Sequence, residues 1–245
     1  MAYSVNGSSR DVIFHRGRNA VSTIMKRAVP PLVLLASMWV VFGFQLILGP
    51  RVFYALGVEA GNLRRPWTWI TANFIHVDLD HIVGNSVFLL ILGLIVGMEG
   101  FRRWFVVTVA SMFGLGLFAT FVSQNAITGG ASGIVFGYFG YLLAVVIAEK
   151  TMSHKLIRLA VAIVLLSSYW YTIIAGFIPN GSMSWQGHLG GFLFGALAAF
   201  YCEKQERKRL AKQRAQSAYM NPFNHQNPQN PHNPNGFRQG PHGFH

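Results

Sequence analysis

The sequence predicts an all-α membrane protein, a bundle of six transmembrane helices with both termini on the cytoplasmic side. Of its 245 residues, 52% are hydrophobic and 11% are charged, and the mean hydropathy is +0.36. Soluble domains carry about a quarter charged residues, so this composition indicates a chain that lies in lipid. The other two observations are six apolar runs near bilayer length and an uneven distribution of Lys and Arg.

Each of the six apolar runs is close to the length that crosses a bilayer. The predicted spans are 29–49, 82–99, 104–124, 132–149, 156–176 and 188–202. The first run is longer than the core of a secretion signal, about 7–15 residues, and no small-residue cleavage site follows it. We therefore expect it to be a permanent span.

The spans divide the chain into four parts. Residues 1–28 are predicted to be a cytoplasmic segment, and 29–202 to be the six-helix domain that would carry any catalysis. Residues 203–214 are a basic cytoplasmic extension. Residues 215–245 are rich in Asn, Pro and His and too poor in apolar side chains to fold, so they are predicted to be a disordered tail.

Lys and Arg residues gather on one side of the predicted bundle. Seventeen of the 20 lie before the first span, in the second and fourth connections, or after the last span, whereas Arg51, Arg64 and Arg65 lie in the long first connection. Because basic residues collect on the cytoplasmic side, both termini are predicted to be cytoplasmic, and spans two, four and six to begin at the outer face. The net charge of +12 then indicates anionic lipid at the inner surface of the plasma membrane, and no nucleic-acid partner.

A nucleophile and a base stand at the start of two predicted spans. Ser132 lies in the string GGASG at 129–133, and His188 lies in the string GHLGG at 187–191. Because both spans are predicted to begin at the outer face, the two side chains are expected to share one depth in the bilayer. A hydroxyl and an imidazole that meet there would permit covalent hydrolysis inside the membrane.

Glycines recur at every fourth position in both of these spans. The two sets are Gly129, Gly133 and Gly137 in span four, and Gly187, Gly191 and Gly195 in span six. Small residues at this spacing let two helix backbones approach closely. Such stripes commonly serve helix packing alone, but Ser132 and His188 stand directly beside them and favour a site between the two helices.

Span two carries a second polar pattern, in which His76 is followed by His81 and Asn85. His81 and Asn85 are four residues apart and so share one helical face, with Asn85 about 6 Å deeper. A polar amide at that depth is costly without a partner or a task. His81, Asn85 and the backbone N–H of Ser132 would suit the stabilisation of an oxyanion, and hydrogen bonds that only join helices are the alternative.

In these residues the chain resembles the rhomboid family of intramembrane serine proteases. The resemblance covers residues 30–202, and its motifs occur in the family's order at the heads of the matching spans. They are Gly130-Ala131-Ser132-Gly133, the pattern of His76, His81 and Asn85, and His188 with Gly191 and Gly195. The resemblance implies that Ser132 is the nucleophile and His188 its general base, a dyad without a carboxylate. It also implies that the partners are transmembrane protein substrates, cut near the outer face.

The resemblance assigns supporting roles to further residues. It implies that His81 and Asn85 line the oxyanion hole, and that His76 supports the long first loop. Phe136 matches the aromatic position on which the imidazole of the family rests.

The first loop departs from the family pattern. Many members carry Trp-Arg there, whereas Trp67 is followed by Thr68, with Arg64 and Arg65 just upstream. The anchoring of the loop is therefore left open. Trp67 and Trp69 are expected to seat the loop at the lipid interface.

Other protease chemistries fit the sequence less well. A metalloprotease helix carries His-Glu-x-x-His, and no such string exists. The spacing of His76, His81 and His188 with Asp78 and Asp80 matches no familiar zinc site. An aspartyl protease needs two carboxylates within spans, whereas these two stand just before span two and are expected to cap its free amides. We therefore expect neither a metal nor a cofactor.

Outside proteolysis, the strongest rival is a catalytically silent rhomboid-like protein that binds or escorts single-span membrane clients. Such relatives usually lose the serine or the histidine, whereas this chain keeps both Ser132 and His188. A transporter is disfavoured because the chain has no internal repeat and no charge deep within its spans. The sequence does not predict the oligomeric state.

Overall fold

The computed structural model describes residues 8–123, 127–149, 152–178 and 184–220. These residues form eight α-helices, which are α1 Ser8–Leu48, α2 Arg51–Leu56, α3 Thr68–Thr71, α4 Leu79–Met98, α5 Phe101–Phe121, α6 Ser132–Ala148, α7 Met152–Phe177 and α8 Trp185–Met220. Two short strands, β1 Val58–Glu59 and β2 Ile127–Thr128, pair antiparallel, with Val58 opposite Thr128. The chain divides into two units, residues 1–201 and 202–245.

The described chain is mostly helical, and three of its helices are long and apolar enough to cross a membrane. They are Val21–Leu48 within α1, Leu79–Met98 and Phe101–Phe121, while Ser132–Ala148 is a shorter apolar helix. The prediction of an all-α membrane protein is thereby confirmed. The predicted fifth and sixth spans lie within α7 and α8, and the six-span arrangement with its orientation stays a prediction.

Two helices extend beyond the predicted spans. Helix α1 begins at Ser8, inside the predicted cytoplasmic segment 1–28, and α8 runs on to Met220, through the basic residues 203–214. Residues 215–220 are therefore helical, although the sequence analysis assigns them to the disordered tail. Lys, Arg, Gln and Ala are strong helix formers, and adding a residue to an existing helix costs little, so a helix can outlast its apolar run. The rest of the predicted tail lies outside the described residues.

Helix α6 is the central element of the first unit. Thirteen of its 17 residues are buried, and it packs against α4, α5 and α7. Helix α1 packs on α4 and leaves large apolar side chains uncovered at its end, where Leu46 is 71% and Ile47 is 80% exposed. Exposed apolar residues at this density are what a lipid-facing helix presents.

The two glycine stripes meet face to face. A Cβ added at Gly191 would overlap the carbonyl of Gly133, and one added at Gly195 would overlap the carbonyl of Gly137. The backbones of α6 and α8 are therefore in direct contact at these two glycine pairs, as small residues permit. The outer glycine of each stripe faces another element, since a Cβ at Gly129 would meet Ile75 and one at Gly187 would lie nearest Leu115.

The first loop docks on α5 through Trp69. Its indole Nε1 donates to Thr120 Oγ1 at 3.0 Å, and its ring lies where a side chain on Gly116 would be. Trp69 is therefore partly buried between elements of the protein, and the interfacial position expected for it stays a prediction. Trp67 is 54% exposed and fits that expectation better.

Arg65 anchors the first loop to α2, a point that the sequence left open. Its guanidinium donates to the carbonyls of Tyr54 and Ala55 at the end of α2. Thr68 is buried, and its hydroxyl donates to the carbonyl of Arg65 at 2.6 Å. Thr68 thus fixes the backbone of the arginine that holds α2.

A polar cluster joins four helices at the end of the bundle far from the start of α4. The Glu99 carboxylate, just after α4, accepts from the Tyr141 hydroxyl of α6 at 2.5 Å. It also pairs with Arg103 of α5 at 3.1 Å and with Arg158 of α7 at 3.6 Å. Arg158 in turn contacts Glu149 at 3.2 Å. These partly buried pairs tie α7 to its neighbours at that end.

The contact between α6 and α8 gives a stability prediction. Gly195→Ala should lower the melting temperature in detergent, because its methyl group overlaps the Gly137 carbonyl, and overpacking costs about 1–3 kcal/mol. Gly43→Ala on α1 is the matched control, since a Cβ there has no atom within 4 Å, and it should leave the melting temperature equal or higher. Equal melting temperatures for both variants would contradict the close approach.

Candidate active site

The structure brings Ser132 and His188 together. Ser132 is the first residue of α6, and His188 lies in the first turn of α8. The distance between His188 Nε2 and Ser132 Oγ is 2.8 Å, which is a hydrogen bond of ordinary length. A hydroxyl in this contact can pass its proton to the imidazole as the oxygen attacks a carbonyl carbon.

Two contacts orient the imidazole of His188. Its Nδ1 lies 2.7 Å from the carbonyl of Gly176 on α7, and because a carbonyl only accepts, the proton of the neutral ring resides on Nδ1. Nε2 then presents its lone pair to Ser132. The ring of Phe136 stacks on the imidazole, with 4.3 Å between centroids and 9° between planes. Together these contacts fix both the tautomer and the plane of the ring.

The segment before Ser132 is held by backbone hydrogen bonds. The Gly130 N–H donates to the Ala72 carbonyl at 2.8 Å, and the Ala131 N–H donates to His76 Nε2 at 3.3 Å. Gly130 has a φ of +129°, and a Cβ there would lie 2.7 Å from the His81 ring, so a larger residue is excluded. In the described part of the chain, the amide of Ser132 itself has no acceptor, and it is available to an oxyanion.

His81 and Asn85 face the same cavity as the Ser132–His188 pair. Asn85 is buried, and among the described residues its Nδ2 has no acceptor, so this donor is also free for a ligand. The side chain of Asp78 caps α4 by accepting from the His81 N–H at 2.8 Å. The capping predicted for Asp78 is confirmed, and it fixes the turn that carries His81.

The cavity has a volume of about 530 Å³ and lies at the start of α4, α6 and α8. Its walls are largely apolar and include Phe88, Val135 and Phe136, with Ala175 from α7. A mostly apolar pocket with a few convergent polar groups is typical of a site that binds an organic substrate.

His76, for which the resemblance implies support of the first loop, contacts the nucleophile segment through its ring. The residue is fully buried between α1 and α6, where Nε2 accepts from Ala131. Its backbone N–H donates to Gln45 Oε1 at 3.3 Å, and Gln45 Nε2 donates to its carbonyl. Gln45 is not among the residues predicted from the sequence, although an amide within an apolar span indicates a buried polar contact.

Burial lowers the pKa of His76 to about 3 from the ordinary 6.5, and the nearby His81 ring acts in the same direction. The Phe74 carbonyl and Asp78 oppose this shift to a lesser extent. His76 lies before α4 and stays neutral at physiological pH, which its acceptor role requires, because an imidazolium has no lone pair for the Ala131 N–H.

Ser184 is a second residue that sequence reasoning missed. Its Oγ accepts from the Gly187 N–H at 3.3 Å and from Thr128 Oγ1 at 3.3 Å, and its carbonyl accepts from the His188 N–H at 3.2 Å. Ser184 thus caps the helix that carries the imidazole and links it to β2, just before the nucleophile segment. A Ser three residues before Gly187 is a weak signal, because caps of this kind are common.

The described residues include no group of three or more His, Cys, Asp and Glu placed to hold a metal ion.

Comparison with known proteins gives matches over the same region. A family profile described as the Rhomboid domain matches residues 63–205, more than half of the chain. An uncharacterized protein of Mycobacterium tuberculosis is 32% identical over 160 residues, which are 61% of this chain and 64% of that relative. The chain thus matches a little less than two thirds of the length of its mycobacterial relatives.

Two relatives carry protease names. Rhomboid protease GlpG of Serratia proteamaculans is 26% identical over 202 residues, 80% of this chain and 70% of the relative. Rhomboid protease GluP of Bacillus subtilis is 28% identical over 134 residues, 54% of this chain and 25% of the relative.

The low pKa of His76 predicts a pH-dependent stability. Between pH 6.5 and about 3 the unfolded chain binds a proton on this residue that the folded chain does not bind, so the unfolding free energy falls as the pH falls. The expected loss from pH 7 to pH 5 is about 2 kcal/mol. The His76→Gln variant keeps an acceptor for the Ala131 N–H, but its side chain does not titrate. It should therefore not show this loss of unfolding free energy between pH 7 and pH 5. Denaturant unfolding in micelles at both pH values measures it, and identical pH dependence in the two proteins would refute it.

Proposed function

This chain belongs to the rhomboid family, and from that premise we propose that it is an intramembrane serine endopeptidase that uses Ser132 and His188 as a dyad. It hydrolyses peptide bonds in or near the transmembrane segments of other membrane proteins. The observation that carries the proposal is the 2.8 Å contact between His188 Nε2 and Ser132 Oγ at the wall of an apolar cavity. The protease names of GlpG and GluP support it.

The reaction proceeds through an acyl-enzyme. His188 Nε2 takes the proton of Ser132 as Oγ bonds to the scissile carbonyl carbon, and the carbonyl oxygen becomes an oxyanion. The imidazolium then gives that proton to the leaving amine as the C–N bond breaks. In the second half His188 takes a proton from water, whose oxygen attacks the ester carbon, and returns it to Ser132 Oγ as the acid product leaves.

Neutral donors stabilise the oxyanion in this proposal. The free amide of Ser132 and Nδ2 of Asn85 have no acceptor in the described residues, and the ring of His81 lies beside Gly130 on the same wall. Fixed donors in a dry pocket stabilise developing charge strongly, and the loss of one such donor typically costs about 10²–10³ in rate. No carboxylate is needed to orient the base, because the Gly176 carbonyl and Phe136 hold the ring.

We further propose the six-span topology, with both termini cytoplasmic and the site toward the outer face of the plasma membrane. Two features support it, namely the gathering of basic residues in the proposed cytoplasmic segments and the starts of α4, α6 and α8 around one cavity. A substrate helix must unwind there, because its peptide bonds are shielded by their own hydrogen bonds. The proposed partners of this protein are therefore transmembrane proteins in the surrounding lipid.

The alternative is a catalytically silent rhomboid that binds or escorts single-span clients. Such a protein needs the helix surfaces of the bundle but no reactive serine. The hydrogen-bonded Ser132–His188 pair, with its oriented tautomer and free oxyanion donors, favours the enzyme.

Cleavage of a fluorescent single-span substrate in reconstituted vesicles tests the proposal. Wild type should cleave it, and Ser132→Ala or His188→Ala should each lower kcat by at least about 10³-fold, because the dyad acts as a unit. A fluorophosphonate probe should label wild type but not Ser132→Ala. Wild type that binds the substrate, but neither cleaves it nor reacts with the probe, would support the silent alternative.

The stacking contact on the base gives a second prediction. Phe136→Leu should lower kcat by about 10-fold, since a loosened imidazole loses its alignment with Ser132 Oγ. Phe139→Leu serves as the matched control for stability, because it removes a buried ring from the same helix. Phe139 packs edge-on against Phe136 at 6.3 Å and, among the described residues, has no ring contact with His188. Steady-state cleavage of the same substrate measures both variants. Equal kcat values in the two would show that the stack does not orient the base.

A further inference from the structure

We propose that Gln45 of α1 is a positioning residue for the nucleophile, acting through His76 and Ala131 on Ser132. This inference rests on the proposed function. It assigns a role in catalysis to a helix that lies outside residues 63–205, the part of the chain that matches the Rhomboid profile. Three consecutive contacts connect the Gln45 amide to the serine.

The first contact is a two-point hydrogen bond between Gln45 and the backbone of His76. Gln45 Oε1 accepts from the His76 N–H at 3.3 Å, and its Nε2 donates to the His76 carbonyl. His76 lies between the helical turn Ala72–Phe74 and the start of α4, so no helix satisfies these backbone groups. Buried backbone groups without partners are costly, and Gln45, only 9% exposed, supplies both partners.

The second contact joins the His76 ring to the nucleophile segment. His76 Nε2 accepts from the Ala131 N–H at 3.3 Å, and the ring is fully buried. Because its backbone is clamped to α1 and its ring is enclosed, the ring transmits the position of α1 to Ala131. The Gly130 N–H bonds in parallel to the Ala72 carbonyl, so two successive amides of the segment dock on residues 72–76.

The third contact is covalent, since Ala131 directly precedes Ser132. Ser132 begins α6, and its Oγ must lie within hydrogen-bond distance of His188 Nε2 on another helix. Ala131 is also the first acceptor of α6, since its carbonyl receives the N–H of Ile134 and Val135. A shift of Ala131 therefore moves both the serine and the free amide of Ser132. A displacement of about 1 Å can cost about 10²-fold in rate.

Gln45→Met tests the role, because Met has a similar volume and neither donates nor accepts strongly. We expect kcat for the single-span substrate to fall by about 10-fold or more and KM to stay within about twofold, since the contact acts on alignment and not on binding. Fluorophosphonate labelling of Ser132 should slow in parallel. Ser37→Ala is the control on the same helix. Among the described residues its hydroxyl bonds to the carbonyls of Val33 and Leu34 alone, both within α1, so activity should be unchanged.

Gln45→Glu separates positioning from general destabilisation through its pH profile. When protonated, glutamic acid donates to the His76 carbonyl and accepts from its N–H, as glutamine does. When ionised it cannot donate, and it repels that carbonyl. Activity relative to wild type should therefore be near one where the introduced carboxyl is protonated and fall as the pH rises through its titration. Asp78 and Tyr54 line the same cavity as Gln45, and the backbone of His76 is hydrogen-bonded to Gln45. Because these three titratable residues are present in both the wild type and the variant, their own titration cancels in the activity ratio.

The outcomes distinguish this inference from the proposed function. Wild type that neither cleaves nor labels would overturn the proposed function itself. Active wild type together with wild-type kcat in Gln45→Met, or with a flat activity ratio for Gln45→Glu, would overturn the role of Gln45 alone. If the Gln45→Met protein fails to fold, the pH profile of Gln45→Glu tests the role by itself, because the protonated carboxyl retains both hydrogen bonds.

Discussion

The direct contact between the backbones of α6 and α8 is the constraint on which the site depends. Glycines on both helices remove the side chains that would separate them, so the first turns of the two helices lie side by side. Ser132 stands beside Gly133 of this contact and His188 lies about one turn before Gly191, and their side chains meet at 2.8 Å as a consequence. In lipid, where helices gain little from hydrophobic burial, such close packing is a main source of association.

The site achieves orientation without buried charge. A carboxylate within the bilayer would be costly, and here a backbone carbonyl of α7 and an aromatic ring of α6 set the imidazole instead. The same holds for the nucleophile segment, which rests on a neutral histidine and a glutamine amide. The base and the nucleophile segment are thus oriented by a backbone carbonyl, an aromatic ring, an imidazole and an amide.

Periodic and repeated signals in the sequence were sufficient to predict the helices and the central pair of the site. Apolar runs located the helices, and the glycine spacing with the basic residues brought Ser132 and His188 to one end of the bundle. Gln45, Ser184 and the docking of Trp69 on α5 were missed, because each is a single tertiary contact without a period. The ends of α1 and α8 differ for another reason, since charged helix formers continue a helix past its apolar run.

Helix α7 has two different attachments. Near one end Arg158 pairs with Glu99 and Glu149, whereas near the other end α7 walls the cavity and its Gly176 carbonyl holds Nδ1 of His188. Any outward swing of that wall would withdraw the acceptor and release the imidazole from its tautomer. The helix that lines the cavity is thus also the one that sets the orientation of the imidazole, so the shape of the cavity and the alignment of the base are coupled through a single carbonyl.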